Sequence, residues 1–264
     1  MTSKKFFKDK KIIVGFHNVD LYADRHYRKY LPFQKHIVEN ATILAPATTD
    51  GIKELSKNYK NLEKKCIVKR IGVEKFDGPP FNPGEKLRIL TISNLSPVKR
   101  INLMVEILNH LKIPFHWTHI GAEITEELEQ NIHRKQIIRK NIEFVGLKSP
   151  EQVINILKTH NFDVLCNTST FEGFPVSIME AMMAGIPIFA TDVGGVSEIV
   201  SSEVGYLFDV NFCQEDFATK LKELYQSKIE DKIALRDRSR NFAISNLVGV
   251  ENSKKFFMES YSEK

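Results

Sequence analysis

Between residues 87 and 191 the chain alternates short β-branched runs with amphipathic stretches. KLRILTIS, FHWTHIG, NIEFVG, FDVLCNT and IPIFATD read as strands. KRINLMVEILNHL, TEELEQNIHRKQ, PEQVINILKTH and PVSIMEAMMA separate them and read as helices. In the first helix Ile101, Met104, Val105, Leu108 and Leu111 share one face at helical spacing. Strands joined by helices of about 10–15 residues form βαβ units, hence a parallel sheet buried on both faces. This pattern predicts an α/β protein with a doubly wound, Rossmann-like parallel sheet.

The same reading divides the chain. Residues 87–240 form one complete doubly wound domain. Residues 1–78 offer about three strands (KKIIVGF, ATILAPA and KCIVKRIGV), as in the second half of such a domain, and read as a partial Rossmann-like domain. Between them RKYLPFQKHIVEN reads as mostly helical and a helix lies near TTDGIKELSKNY. Residues 79–86 fall in DGPPFNPGE, whose three prolines and two glycines mark a linker. The tail is helical from Gln214, and residues 241–264 form a closing helix.

Composition narrows the function classes. The 264 residues contain no apolar run approaching the ~18–20 residues of a membrane span. The start, MTSKKFFKDKKIIVGF, has an apolar run too short for a signal peptide and reads as lysines before a first strand. Three distant cysteines, Cys66, Cys166 and Cys213, form no CxxC or Cys/His cluster, which points to a reducing cytoplasm. No D-x-D occurs, so no metal ion is expected on a sugar nucleotide, and no cofactor is implied. Residues 1–75 carry 17 Lys+Arg and 8 Asp+Glu, a net of +9, leaving −4 for the remainder. That basic quarter suits anionic lipid or a phosphorylated acceptor, or equally a solubilising surface. No nucleic-acid-binding motif accompanies the charge, so nucleic acid is not an expected partner.

Ligands of parallel α/β sheets bind beyond the carboxyl ends of the strands. EGFPVSIME places Glu172 on that rim, with Gly173 allowing close backbone approach and Pro175 at the first helical position. Glu180 follows eight residues later inside the helix. Carboxylates so spaced suit two hydroxyl-bearing parts of one elongated ligand better than a shared proton. ISNLSPVKRINLM opens another helix on the rim, with Ser96 as N-cap, Pro97 first in the helix and Lys99 in the first turn. A lysine there opposes the helix dipole, which favours an anion beside it. Gly194-Gly195 offer bare backbone N–H groups before a short helix, VSEIV. No G-x-G-x-x-G exists, against an NAD or FAD enzyme.

EGFPVSIMEAMMAGIPIFATDVGGVSEIV resembles the C-terminal domain of the retaining family 4, or group 1, glycosyltransferases of GT-B fold. The likeness covers the two glutamates with seven residues between them, the AM-x-x-G-x-P helix end and the Gly-Gly pair. LTISNLSPVKRINLMVEIL is similar to the family's phosphate-binding segment, and HNVDLYADRHYRKYLPFQKHIVENATILAPAT to the end of its first domain. The resemblance implies that Glu172 contacts the donor sugar, with Gly173, Phe174 and Pro175 beside it. It implies that Glu180 holds the ribose, that Lys99 binds the diphosphate, and that His17 faces the transferred sugar. Base recognition is expected around Gly121 and Val145-Gly146. Where the family usually has an arginine five residues before the lysine, this chain has Asn94; Arg100 is the nearest substitute and would project about 100° away on a helix. Much of the family's first domain has no counterpart here.

The implied reaction is metal-independent, retaining transfer from a UDP- or GDP-sugar co-substrate to a saccharide or lipid-linked saccharide in surface polysaccharide assembly. It would take place in the cytoplasm, with peripheral contact at the inner membrane face through the basic segment. The alternatives are a nucleotide-sugar-binding module without turnover that needs a partner, and a sugar-nucleotide epimerase.

Overall fold

The computed structural model describes residues 10–62 and 64–262; the basic start, residues 1–9, lies outside them. The first unit pairs β1 (Ile13–Phe16) in parallel with β2 (Ile43–Pro46), in the register Ile13 opposite Ile43. Helix α1 (Gln34–Asn40) precedes β2 and α2 (Thr49–Asn58) follows it. RKYLPFQKHIVEN is helical only from Gln34, because Phe33 before it takes a left-handed φ of 67° just after Pro32. The expected third strand is reduced to single bridges, Leu44 with Cys66 and Val73 with Val248.

The second unit runs β3 (Leu87–Ile92), α3 (Ile101–His110), β4 (Phe115–Ile120), α4 (Glu126–Arg134), β5 (Ile142–Phe144), α5 (Pro150–Thr159), β6 (Val164–Asn167), α6 (Val176–Met183), β7 (Ile188–Thr191) and β8 (Gly205–Phe208). Helices α7 (Gln214–Gln226), α8 (Ile229–Asn246) and α9 (Gly249–Tyr261) end the chain. The six strands form one parallel sheet in the order β5-β4-β3-β6-β7-β8. Successive side chains of β3 serve opposite faces. Ile89 joins Trp117, Met104, Leu128 and Phe217 under α3, α4 and α7. Leu90 joins Leu157, Ile178, Met182 and Ala243 under α5, α6 and α8. Each such large side chain contributes about 1.5–3 kcal/mol on burial, which makes the continuous apolar strands necessary rather than incidental.

Helix starts follow local chemistry. Ser149 and Gln152 form a reciprocal capping box ahead of α5, with Pro150 first in the helix. Thr125 caps α4, whose first turn holds three glutamates. Strand β8 is not expected from the sequence; it is short and lies at the sheet edge. It needs Gly205, because a Cβ there would lie 1.8 Å from the Ile188 carbonyl oxygen.

The linker has no regular structure, and the segment that enters it is pinned rather than loose. Arg240 on α8 donates to the carbonyls of Phe76 (3.0 Å) and Met183 (2.6 Å) and pairs with Asp77. Helix α9 then crosses back. Its Phe256 is buried against Ile43 and Ala45 of β2, so the chain's last helix completes the first unit's core. No helix among the described residues is long and apolar enough to cross a membrane.

Candidate functional site

In this sheet β3 and β6 are neighbours, but their following helices, α3 and α6, cover opposite faces. Their loops therefore diverge and leave a crevice at the carboxyl ends, the place where open α/β sheets take ligands. Lys99 comes from the loop after β3 and Glu172 from the loop after β6. Lys99 Nζ lies 2.7 Å from Glu172 Oε1 and 2.9 Å from Oε2.

The lysine loop differs from its expected form. Ser96 makes no side-chain cap; Pro97–Lys99 form one 3-10 turn, and α3 begins only at Ile101 after Arg100 takes a left-handed φ of 49°. Lys99 thus precedes the helix instead of sitting in its first turn. Asn94 shapes the loop by accepting the Ser96 N–H at 3.1 Å. Arg100 does not project from a helix. Its Nε donates to the Thr168 carbonyl (2.5 Å) and its Nη1 to that of Val210 (2.8 Å), and burial lowers its pKa. Thr168 Oγ1 returns a bond to the Lys99 carbonyl at 3.0 Å. Arg100 is therefore a brace between the two loops, with those donors occupied inside the protein.

Glu172 is only 6% exposed. Besides Lys99, its Oε1 accepts from Asn167 Nδ2 (2.9 Å) and Ser169 Oγ (2.6 Å). Ser169 is held in turn by Asn167 Oδ1 on its N–H and by Thr191 Oγ1 on its carbonyl. An ammonium has three donors and a carboxylate oxygen two lone pairs. With two contacts from Lys99 to Glu172, the lysine keeps one N–H and Oε2 keeps acceptor capacity. The pair can therefore offer one donor and one acceptor, side by side, to a ligand carrying both an anionic oxygen and a hydroxyl. Asn167, Ser169 and Thr191 escaped the sequence reading; the one signal for the first two is the polar run NTST at a strand end.

The loop carrying Glu172 is fixed from beneath by glycines. Gly194 has φ +56°, and a Cβ there would lie 1.8 Å from the Glu172 carbonyl oxygen. The Gly195 N–H donates to the Gly173 carbonyl at 2.9 Å, so this group is not bare as expected. VSEIV forms only a single 3-10 turn, Val196–Glu198. Phe174 is buried in the core and Pro175 is the N-cap of α6, one residue earlier than expected.

Glu180 has a different environment. It is 9% exposed, accepts no hydrogen bond from the described residues, and burial pushes its carboxyl up to about 7. A buried carboxylate without donors is costly unless a ligand supplies them. Gly121, at φ +119°, lets the loops after β3, β4 and β5 converge: its N–H donates to the Gly146 carbonyl at 2.9 Å, and a Cβ would lie 2.4 Å from the Ser93 carbonyl oxygen. His17, exposed at the end of β1, lines a cleft of about 310 Å³ between the units together with Tyr22, Thr48, Glu172, Gly173 and Phe174. Among the described residues no group of three or more His, Cys, Asp or Glu is placed to hold a metal ion.

A doubly wound sheet with a cation–carboxylate pair at its switch point, faced by a second α/β unit, places the chain among two-unit α/β proteins. The family model described as glycosyl transferases group 1 matches residues 73–243, and the chain belongs to that family. It is similar to the O-antigen biosynthesis glycosyltransferase WbnH of Escherichia coli, with 28% identity over 63% of this chain and 46% of that protein. It is also similar to the trehalose synthase of Pyrococcus horikoshii, with 29% identity over 83% of this chain and 53% of that one. The chain spans about half the length of these curated relatives. The crystal structure of HepE from Anabaena in complex with UDP matches with a TM-score of 0.81 at 18% identity, over 98% of this chain and 74% of that one. The fold is accordingly that of the GT-B glycosyltransferases.

The glycine support is testable. Gly194→Ala adds a side chain where both φ and the Glu172 carbonyl exclude it, and should cost more than about 2 kcal/mol in urea unfolding. An unchanged midpoint would contradict the packing described.

Proposed function

We propose that the protein transfers a sugar from a nucleoside diphosphate donor to a saccharide or lipid-linked saccharide acceptor, with retention at the anomeric carbon and without a metal ion. The observation that carries the reading is the Lys99–Glu172 pair at the switch point, with His17 lining the same cleft as Glu172. The remaining Lys99 N–H binds the diphosphate and Glu172 Oε2 accepts from a sugar hydroxyl, a contact worth roughly 1.5–3 kcal/mol. Glu180 takes the ribose hydroxyls. HepE has been solved with UDP and with UDP-glucose, which supports a UDP-sugar ahead of a GDP-sugar. The O-antigen relative supports a role in surface polysaccharide assembly.

With Oε1 held by three donors, Glu172 suits hydrogen bonding to the sugar through Oε2 better than attack on it. Retention then follows from front-side displacement. The bond from C1 to the phosphate oxygen breaks and its electron pair leaves on that oxygen. The acceptor oxygen bonds C1 on the same face, and its proton passes to the departing phosphate. Lys99 stabilises the charge that develops there, and the braced loops hold the groups in place.

Glu180 gives this reading a pH signature. Its folded pKa of about 7 exceeds the ordinary 4.5, so the ligand-free fold holds a proton that the unfolded chain releases. Its contribution to stability is fully present below about pH 4.5 and lost as pH rises through about 7. Ribose hydroxyls favour the ionised form, so UDP-glucose affinity should rise about tenfold between about pH 6 and about pH 8, and Glu180→Gln should flatten the rise. Calorimetry shows this directly, and a transfer assay on an acceptor panel reads the chemistry. No binding at millimolar ligand would reject the reading. Binding without turnover would favour a nucleotide-sugar-binding module.

The basic first quarter supports the inner membrane face as the place of action. Tyr27, Tyr30 and Phe33 are exposed on one short segment together with Arg28, Lys29 and Lys35, a mixture suited to an anionic bilayer surface. The protein should sediment with vesicles containing phosphatidylglycerol and not with neutral ones. Equal behaviour with both would remove this part of the proposal.

A further inference from the structure

Glu198 lies outside the donor groups just described, yet it makes a dense set of contacts across the two units. It ends the one-turn helix Val196–Glu198 of the second unit, and its side chain is 12% exposed. Oε1 accepts from the Thr49 main-chain N–H at 2.7 Å, the Thr49 hydroxyl at 2.6 Å and the Asp50 N–H at 3.2 Å. Oε2 accepts from Arg70 Nη2 at 3.3 Å. Residues 49 and 50 begin α2 of the first unit, where N–H groups have no partner within the helix. The next one, of Gly51, is taken by the helix's own cap, Thr48, at 2.9 Å. A carboxylate from one unit thus completes the N-terminus of a helix in the other, and its charge matches that end of the helix dipole.

This contact is continuous with the candidate site on two sides. Gly195, three residues before Glu198, donates to the Gly173 carbonyl beside Glu172, and a Cβ on it would lie 2.5 Å from Thr48 Cγ2. On the other side Asp50 Oδ2 accepts from the Tyr22 hydroxyl at 2.7 Å. The Tyr22 ring meets Phe171 edge-on at 4.8 Å, and Phe171 directly precedes Glu172. Tyr22, Thr48 and His17 all line the cleft over Glu172. The start of α2 is therefore clasped between Glu198 and the loop that carries the central carboxylate.

We propose that Glu198 is a positioning residue, a latch that holds the unit bearing His17 closed over the Lys99–Glu172 site. Its predicted effect on turnover rests on the glycosyltransferase reading; its effect on shape does not. Glu198→Ala should enlarge the radius of gyration of the ligand-free protein in small-angle X-ray scattering. It should leave UDP affinity within about twofold, because Lys99, Glu180 and Gly121 all belong to the second unit. It should lower kcat for transfer from UDP-glucose about a hundredfold, the scale of a misplaced reacting group, with little change in donor KM. Glu198→Gln, which keeps one acceptor oxygen for Thr49, should recover part of both effects. Should the alanine variant fail to fold, Thr49→Val removes one donor at an exposed position and should shift shape and kcat in the same direction, by less. A radius of gyration and a kcat equal to those of the wild type in both Glu198→Ala and Thr49→Val would overturn the latch. Absence of UDP binding by the wild-type protein would instead count against the glycosyltransferase reading, and scattering would still decide the latch.

Discussion

A lysine and a glutamate 73 residues apart in sequence meet at 2.7 Å because two adjacent strands send their helices to opposite faces of one sheet. Much of the second unit bears on that meeting. Arg100 and Thr168 tie the two loops together through main-chain carbonyls, and Asn167, Ser169 and Thr191 fix the glutamate from below. Gly194 and Gly195 let a third loop pack directly under the Glu172 backbone. The ion pair is partly exposed on the lysine side, so its part in stability is modest. Its consequence lies in geometry: one donor and one acceptor are held ready in a crevice closed by the other unit.

The two glutamates that stand out in the sequence have opposite surroundings. Glu172 is buried among donors that hold it in one orientation. Glu180, eight residues on and also buried, has none among the described residues, and its carboxyl is pushed up by burial alone. A carboxylate with its partners supplied by the protein is a positioned tool. In the proposed reaction the donor's ribose hydroxyls supply the partners that Glu180 lacks among the described residues.

Much of the second unit was legible in the sequence because a sheet buried on both faces forces apolar strands and amphipathic helices into a regular alternation. Strand β8 was not, since GYLF is only four residues long and lies at an edge with Tyr206 exposed. The Ser-Pro sequence before α3 suggested a helix start, but Arg100 adopts a left-handed conformation that delays the helix to Ile101. Residue type and motif spacing picked out Lys99, Glu172 and Glu180. Asn167 and Ser169 did not stand out, because polar residues at strand ends are ordinary. Glu198 was invisible for a further reason: its partners, Thr49, Asp50 and Arg70, lie 128–149 residues away in the other unit. Contacts of that range follow from the docking of units, which local pattern does not encode.

The central claim is that Lys99 is set by Glu172 to receive a diphosphate. Competition binding of uridine and UDP to the wild-type protein and to Lys99→Met tests it most directly. The account predicts that the variant loses about tenfold or more in UDP affinity and keeps its affinity for uridine, because only the charge-assisted contact to phosphate is removed. Unchanged UDP binding, or an equal loss for uridine and UDP, would contradict it.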